Sequence, residues 1–145
     1  MRVMCDTNIL VRTVLSRHGA AAELVRMIVR DHALVSSLYV LSELYDVLRR
    51  PAIRKLHRLG DAQIRRVISR FYTLATIAPL PSTFPVAVPR DRKDNPIVMT
   101  AVAGRAEVLC TLDRHLHEPE VVALCAGQGI RVLRDTQLLT ELRIG

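Results

Sequence analysis

Val3-Met4-Cys5-Asp6-Thr7-Asn8 and Val108-Leu109-Cys110-Thr111-Leu112-Asp113 share one pattern, a short apolar run that reaches an acid just as the apolar stretch gives out. Runs of this length and composition read as strands buried on both faces, the condition of central strands in a parallel sheet. Three more short runs fit the same description: Ala33 to Val35, Thr76 to Ala78 and Ile130 to Leu133. Longer stretches with helical periodicity separate them. Residues 21, 24, 25 and 28 are apolar on one helical face, and Ser37 to Arg50 continues with Leu38, Leu41, Tyr45 and Leu48. Strands alternating with amphipathic helices require parallel crossovers, so the fold class is α/β with a central parallel sheet of about five strands.

Further punctuation follows from local chemistry. Asp61, ahead of Ile64, Val67, Ile68, Phe71 and Leu74, is placed to cap a helix N-terminus. Asn8 is similarly placed for a short helix from Ile9. Four prolines at 79, 81, 85 and 89 make that stretch a surface connection, since proline is excluded from helix interiors and central strands. Asn95-Pro96 then opens a helix from Ile97 to Ala103, and Gly104 ends it. The 145 residues are half hydrophobic, enough for one core, and no linker or repeat divides them, so a single domain over 1–145 is expected.

The chain carries 21 Lys and Arg against 14 Asp and Glu, a net charge of +7. Such a balance favours an anionic partner, although it also serves solubility. Cys5, Cys110 and Cys125 form no CxxC pair, and two of them lie in buried runs, as suits thiols in a reducing cytosol. A charge at the sixth residue interrupts any signal-peptide core, and no apolar run is long enough for a membrane span. The expectation is a cytoplasmic protein with no membrane association.

The acids carry the chemistry. Asp6 and Asp113 emerge at the carboxyl ends of two strands, the edge where open α/β sheets bind ligands. Each alone reads equally well as a turn cap. Glu43 sits about two turns into the helix after the second strand, among Tyr39, Val40, Leu41, Leu44 and Val47, where a carboxylate needs a partner; Arg49 or Arg50 would supply one on a solvated face. Asp94, within Asp91-Arg92-Lys93-Asp94-Asn95-Pro96, precedes a helix whose free amides favour an anion. Several carboxylates without a His and Cys cluster point to Mg²⁺ or Mn²⁺ rather than zinc.

Asp6-Thr7-Asn8, Ser37 to Glu43, Asp91 to Ala103 and Thr111-Leu112-Asp113, taken in this order, resemble the successive motifs of PIN-domain nucleases through nearly the whole chain. The resemblance is closest to the VapC-like toxin ribonucleases of toxin and antitoxin pairs. It implies a three-layer sandwich with helices on both faces of the sheet, and a metal-dependent endoribonuclease. It also implies Asp6, Glu43, Asp94 and Asp113 as the catalytic and metal-ligating acids. Beside them, Thr7 and Asn8 can hydrogen-bond the neighbouring backbone, and Asp91 either assists the acids or pairs with Arg92 or Lys93. A cognate antitoxin and a homodimer are the protein partners it implies. The chain departs from many relatives after the fourth strand, where Leu112 replaces a Gly and His115 an acid. His115 and His117 are candidates for contact with substrate or metal, and also for a solvent-facing turn.

Arg49, Arg50, Arg54, Lys55 and Arg58 open the densest basic stretch, continued by Arg65, Arg66 and Arg70. Forked guanidinium contacts suit RNA phosphates, while a solvated helix face or a protein-binding surface accounts for the same residues. Two rival classes remain. A phosphohydrolase of the haloacid dehalogenase type needs a second Asp two residues after the first, where this chain has Asn8. A silent RNA- or protein-binding module would use the charge and fold without the acids.

Overall fold

The computed structural model describes residues 1–80 and 95–145. The elements in order are β1 (Arg2–Cys5), α1 (Thr7–Leu15), α2 (Ala20–Asp31), β2 (Ala33–Ser36), α3 (Leu38–Arg49), α4 (Pro51–His57), α5 (Asp61–Leu74), β3 (Thr76–Ile77), α6 (Asn95–Ala103), β4 (Val108–Cys110), α7 (Pro119–Gly127), β5 (Arg131–Leu133) and α8 (Asp135–Ile144). The five strands form one parallel sheet in the order β3-β2-β1-β4-β5. The chain is therefore α/β, with the five-strand sheet that its apolar runs require.

Strand burial follows strand position. Val3, Met4, Cys5, Leu34, Val35, Val108, Leu109 and Cys110 are all buried, as central strands covered on both sides must be. The edge strands are short, and each presents an exposed residue, Thr76 or Arg131. From β1 the chain steps outward to β2 and β3, then crosses back to β4 and steps outward the other way to β5. Right-handed crossovers taken in opposite directions put their helices on opposite faces. The reversal lies between β1 and β4, so a crevice opens at their carboxyl ends.

Several local expectations are corrected. α1 begins at Thr7, and Asp6 rather than Asn8 is its cap, because Asp6 itself accepts the first free amide, Thr7 N–H, at 2.7 Å. The cap of α5 is Gly60, whose N–H donates to Gln63 Oε1 at 2.9 Å, while Asp61 lies inside the first turn and pairs with Arg54 at 2.6 Å. In α3 the buried face is Val40, Leu41, Leu44 and Leu48, and Leu38 is 64% exposed. On α5 only Ile64 is fully buried, and Leu74 is exposed. From residue 81, the proline-rich connection lies outside the described residues.

Gly104 ends α6 for a reason other than backbone handedness, since the left-handed residue is the next one, Arg105, at φ 54°. A Cβ on Gly104 would collide with Val35 Cγ1 and crowd Thr100 O. The absent side chain lets the end of α6 close onto β2. Gly104→Ala is expected to destabilise the protein by about 1–3 kcal/mol through overpacking. Val35→Ala in the same chain should make the combined loss smaller than the sum of the two, as chemical denaturation would measure. Full additivity would show that the two residues do not meet.

Candidate functional site

The β1–β4 register sets the site. Val3 pairs with Val108, Met4 with Leu109 and Cys5 with Cys110, and Asp6 N–H extends the ladder to Cys110 O at 2.9 Å. Thr111 therefore lies beside Asp6, and its hydroxyl donates to Asp6 Oδ2 at 2.7 Å. The same hydroxyl accepts Asp113 N–H at 3.0 Å, so one threonine orients both strand-end acids. Asn8 adds a second tie. Its Oδ1 accepts Leu112 N–H at 3.3 Å, and its Nδ2 is 3.5 Å from Asp6 Oδ2.

Asp6 is 5% exposed. Burial raises its pKa to about 6 against the hydrogen bonds from Thr111 and Thr7, and the negative charges of Glu43 and Asp113 push it further in the same direction. Glu43 reaches this neighbourhood from α3, whose N-cap Ser37 accepts Val40 N–H at 3.3 Å. The Ser37 hydroxyl also meets Thr100 Oγ1 of α6 at 2.8 Å, and Thr100 donates to Pro96 O at 2.7 Å. This buried chain of hydrogen bonds fixes the start of α3 against the helix that follows Asp94.

Asp6, Glu43 and Asp113 border one open cavity of about 460 Å³, together with Thr7, Asn8, Arg12 and Arg50. Asp91 and Asp94 lie outside the described residues. Among the described residues, no three of His, Cys, Asp and Glu stand close enough to hold a metal ion between them. The donor set is nevertheless of the right kind. Carboxylate oxygens are the hard ligands that Mg²⁺ and Mn²⁺ prefer. Three of them facing one space raise each other's energy when ionised, and a cation in that space lowers it.

The neighbouring histidines have structural partners. In the 3-10 turn from Arg114 to His117, Asp113 Oδ1 accepts His115 N–H at 2.9 Å. His117 Nε2 lies 2.7 Å from Thr111 O, where the ring N–H must donate to the carbonyl. The His115 ring is exposed and lies 3.6 Å from Glu118. Cys5 and Cys110 are buried side by side, and their contact followed by burial pushes the Cys110 thiol up, keeping it protonated. All three cysteines are free.

The basic stretch is divided among several surroundings. Arg50 borders the acid cavity, whereas Arg49 stacks over Tyr45 at 5.0 Å. Arg54 pairs with Asp61, and Lys55 and Arg58 are exposed. Arg70 lines a second cavity of about 540 Å³, together with Arg17, Arg26, Arg30, Val25, Val29 and Phe71. Arg12, absent from the candidates offered by the sequence, stands four residues from Asn8 on one helical face. Thr111 belongs to the last motif, and its place against Asp6 follows from the strand register.

Residues 2–115 match the family described as PIN domain. No curated protein matches the chain. Among the described residues, no helix is long and apolar enough to cross a membrane.

The raised pKa of Asp6 gives a signed prediction for the metal-free protein. Below about pH 3.8 the carboxyl is protonated in both folded and unfolded chains and contributes no pH dependence. From there to about pH 6 the folded chain holds a proton that the unfolded chain releases, so stability falls as pH rises. Asp6→Asn removes this loss and should be more stable than the wild type at pH 8 by about 3 kcal/mol, with the gap closing near pH 4. Urea denaturation across that range in chelator measures it. A gap that does not change with pH would contradict the assignment.

Proposed function

The chain belongs to the PIN-domain family, and on that premise we propose that it is a metal-dependent endoribonuclease and the toxin component of a toxin and antitoxin pair. PIN domains are typically nucleases, they generally use divalent metals, and their substrate is nucleic acid. The observation that carries the reading is the convergence of Asp6, Glu43 and Asp113 on one cavity, with the Asp6 pKa raised first by burial and then by the charges beside it. A binding module has no use for an arrangement that repels phosphate. The net charge of +7 supports a polyanionic substrate. RNA, rather than DNA, rests on the motif resemblance to VapC-like ribonucleases, as do a cognate antitoxin and a homodimer. A cytoplasmic setting accords with three free, buried thiols.

Asp6, Glu43, Asp94 and Asp113 are the residues that would hold Mg²⁺ or Mn²⁺, which when bound supplies an activated water and neutralises the leaving oxygen. Asp6 offers oxygens already aimed by Thr7 N–H and the Thr111 hydroxyl, and needs little reorganisation to serve as a ligand. Asp94, before α6, is the second direct ligand in this reading. Glu43, half-buried on α3, serves as a ligand or positions the attacking water. Asp113 has one oxygen committed to His115 N–H and offers the other, directly or through water. Arg50 and its basic neighbours Arg49, Arg54, Lys55 and Arg58 receive the RNA backbone beside the acids. Hydrolysis in this manner leaves a 5′-phosphate and a 3′-hydroxyl.

With Mn²⁺ the wild type is expected to cut RNA. Asp6→Asn, Glu43→Gln and Asp94→Asn should each lower turnover by more than about 100-fold, because even the partners of metal ligands are commonly worth about 10- to 100-fold. His115→Ala should lose far less. Expression of the wild type should slow bacterial growth, and folded Asp94→Asn should relieve it. Unchanged turnover in the Asp6 and Glu43 variants would sink the site. Full growth with active wild type would make the protein an RNA-processing nuclease instead of a toxin.

A further inference from the structure

Asp6 and Asp135 are the buried carboxylates among the described residues, and only the first borders the acid cavity. Asp135 opens α8 two residues beyond β5, so three adjacent strands, β1, β4 and β5, each lead to an aspartate at the same sheet edge. Thr111 N–H donates to Leu133 O at 3.0 Å and ties the ends of β4 and β5 together there. Asp135 is 2% exposed. Its Oδ1 accepts Thr136 N–H at 2.9 Å, while Oδ2 has no hydrogen-bond partner. The cation facing Oδ2 is Arg12, with Nε at 3.9 Å.

Arg12 is placed to act in two directions. Its side chain is 55% exposed, it borders the acid cavity with Asp6, Glu43 and Asp113, and it donates no hydrogen bond among the described residues. The guanidinium is a rigid plane with donors on more than one edge. When Nε faces Asp135, the terminal nitrogens at the far edge are left for another acceptor. Asp135 attracts the arginine without consuming its donors.

We propose that Arg12 grips a phosphate of the RNA at the rim of the acid cavity, and that Asp135 is the positioning residue that holds it there. The inference rests on the nuclease reading. Three carboxylates around one cavity repel a phosphodiester, and a cation anchored from behind by a buried charge supplies the local attraction that brings it in. Arg50 borders the same cavity, but no carboxylate among the described residues lies within ion-pairing distance of it.

The test is steady-state cleavage of a short RNA oligonucleotide with Mn²⁺ at several salt concentrations. Arg12→Ala is expected to raise KM by about tenfold or more, with kcat within about threefold, since charged hydrogen bonds to substrate are lost in ground and transition states alike. The salt dependence should fall by about one counterion. Arg12→Lys should restore the salt dependence but only part of KM. Asp135→Asn should raise KM in the same sense, and adding it to Arg12→Ala should change KM no further. Arg131→Ala, which removes a cation paired with Glu141, is the control and should leave both quantities unchanged.

A purely structural Asp135 would lower the melting temperature and leave KM of the folded fraction untouched, which overturns the positioning role. Should Asp135→Asn fail to fold, Arg12→Ala with unchanged KM and salt slope still overturns the proposal. An active wild type with these variants unmoved refutes only this inference. A wild type that cleaves no RNA refutes the nuclease reading and this inference with it.

Discussion

The site is organised around a buried carboxylate with two others in reach. Asp6 is almost wholly withdrawn from water, and its donors among the described residues are the Thr7 amide, the Thr111 hydroxyl and, at the longer distance of 3.5 Å, Asn8 Nδ2. An ionised carboxylate in such a place needs compensation that neutral donors do not fully provide. Glu43 and Asp113 increase the demand. A fold optimised for stability alone would not collect three acids around one cavity. The strain is local, and the rest of the chain holds the acids where they are.

That support comes from the sheet. Apolar β1 and β4 lie side by side at the point where the chain reverses its direction of winding, and their register carries Asp6 against Thr111. Ser37 and Thr100 join the start of α3 to α6 through a buried hydroxyl pair, so the helix bearing Glu43 is fixed independently of loop conformation. Gly104 lets the end of α6 close onto Val35 of β2. These contacts share one consequence. Asp6 and Asp113 follow strand ends and Glu43 sits inside a helix, so the sheet and α3 set their separation.

Much of this was legible in the residues because burial on both faces leaves a plain trace. Val3 to Cys5 and Val108 to Cys110 allow little but apolar side chains, and the acids that end them stand out. Amphipathic elements were harder. Leu38 belongs to an apolar stripe in sequence yet is exposed, because α3 packs through Val40, Leu41, Leu44 and Leu48, a face rotated from the expected one. Caps were ambiguous for a related reason. Asp6, Asn8, Gly60 and Asp61 all have the chemistry to end a helix, and only the backbone decides among neighbours. Asp135 repeats the strand-end pattern of Asp6, but an acid in a first helical turn has an ordinary explanation in the helix dipole. That its Oδ2 accepts no hydrogen bond among the described residues appears only in three dimensions.

In the proposed function, a divalent cation would relieve the charge repulsion gathered at the acid cavity. Calorimetric titration of Mn²⁺ into the protein at pH 6, repeated in buffers of different ionisation enthalpy, tests it most directly. Asp6 is about half protonated at that pH, so binding should release about half a proton per ion, and the release should vanish by pH 8. Asp6→Asn should bind more weakly and release none. Absence of Mn²⁺ binding, or binding with equal proton release in wild type and Asp6→Asn, would contradict the account.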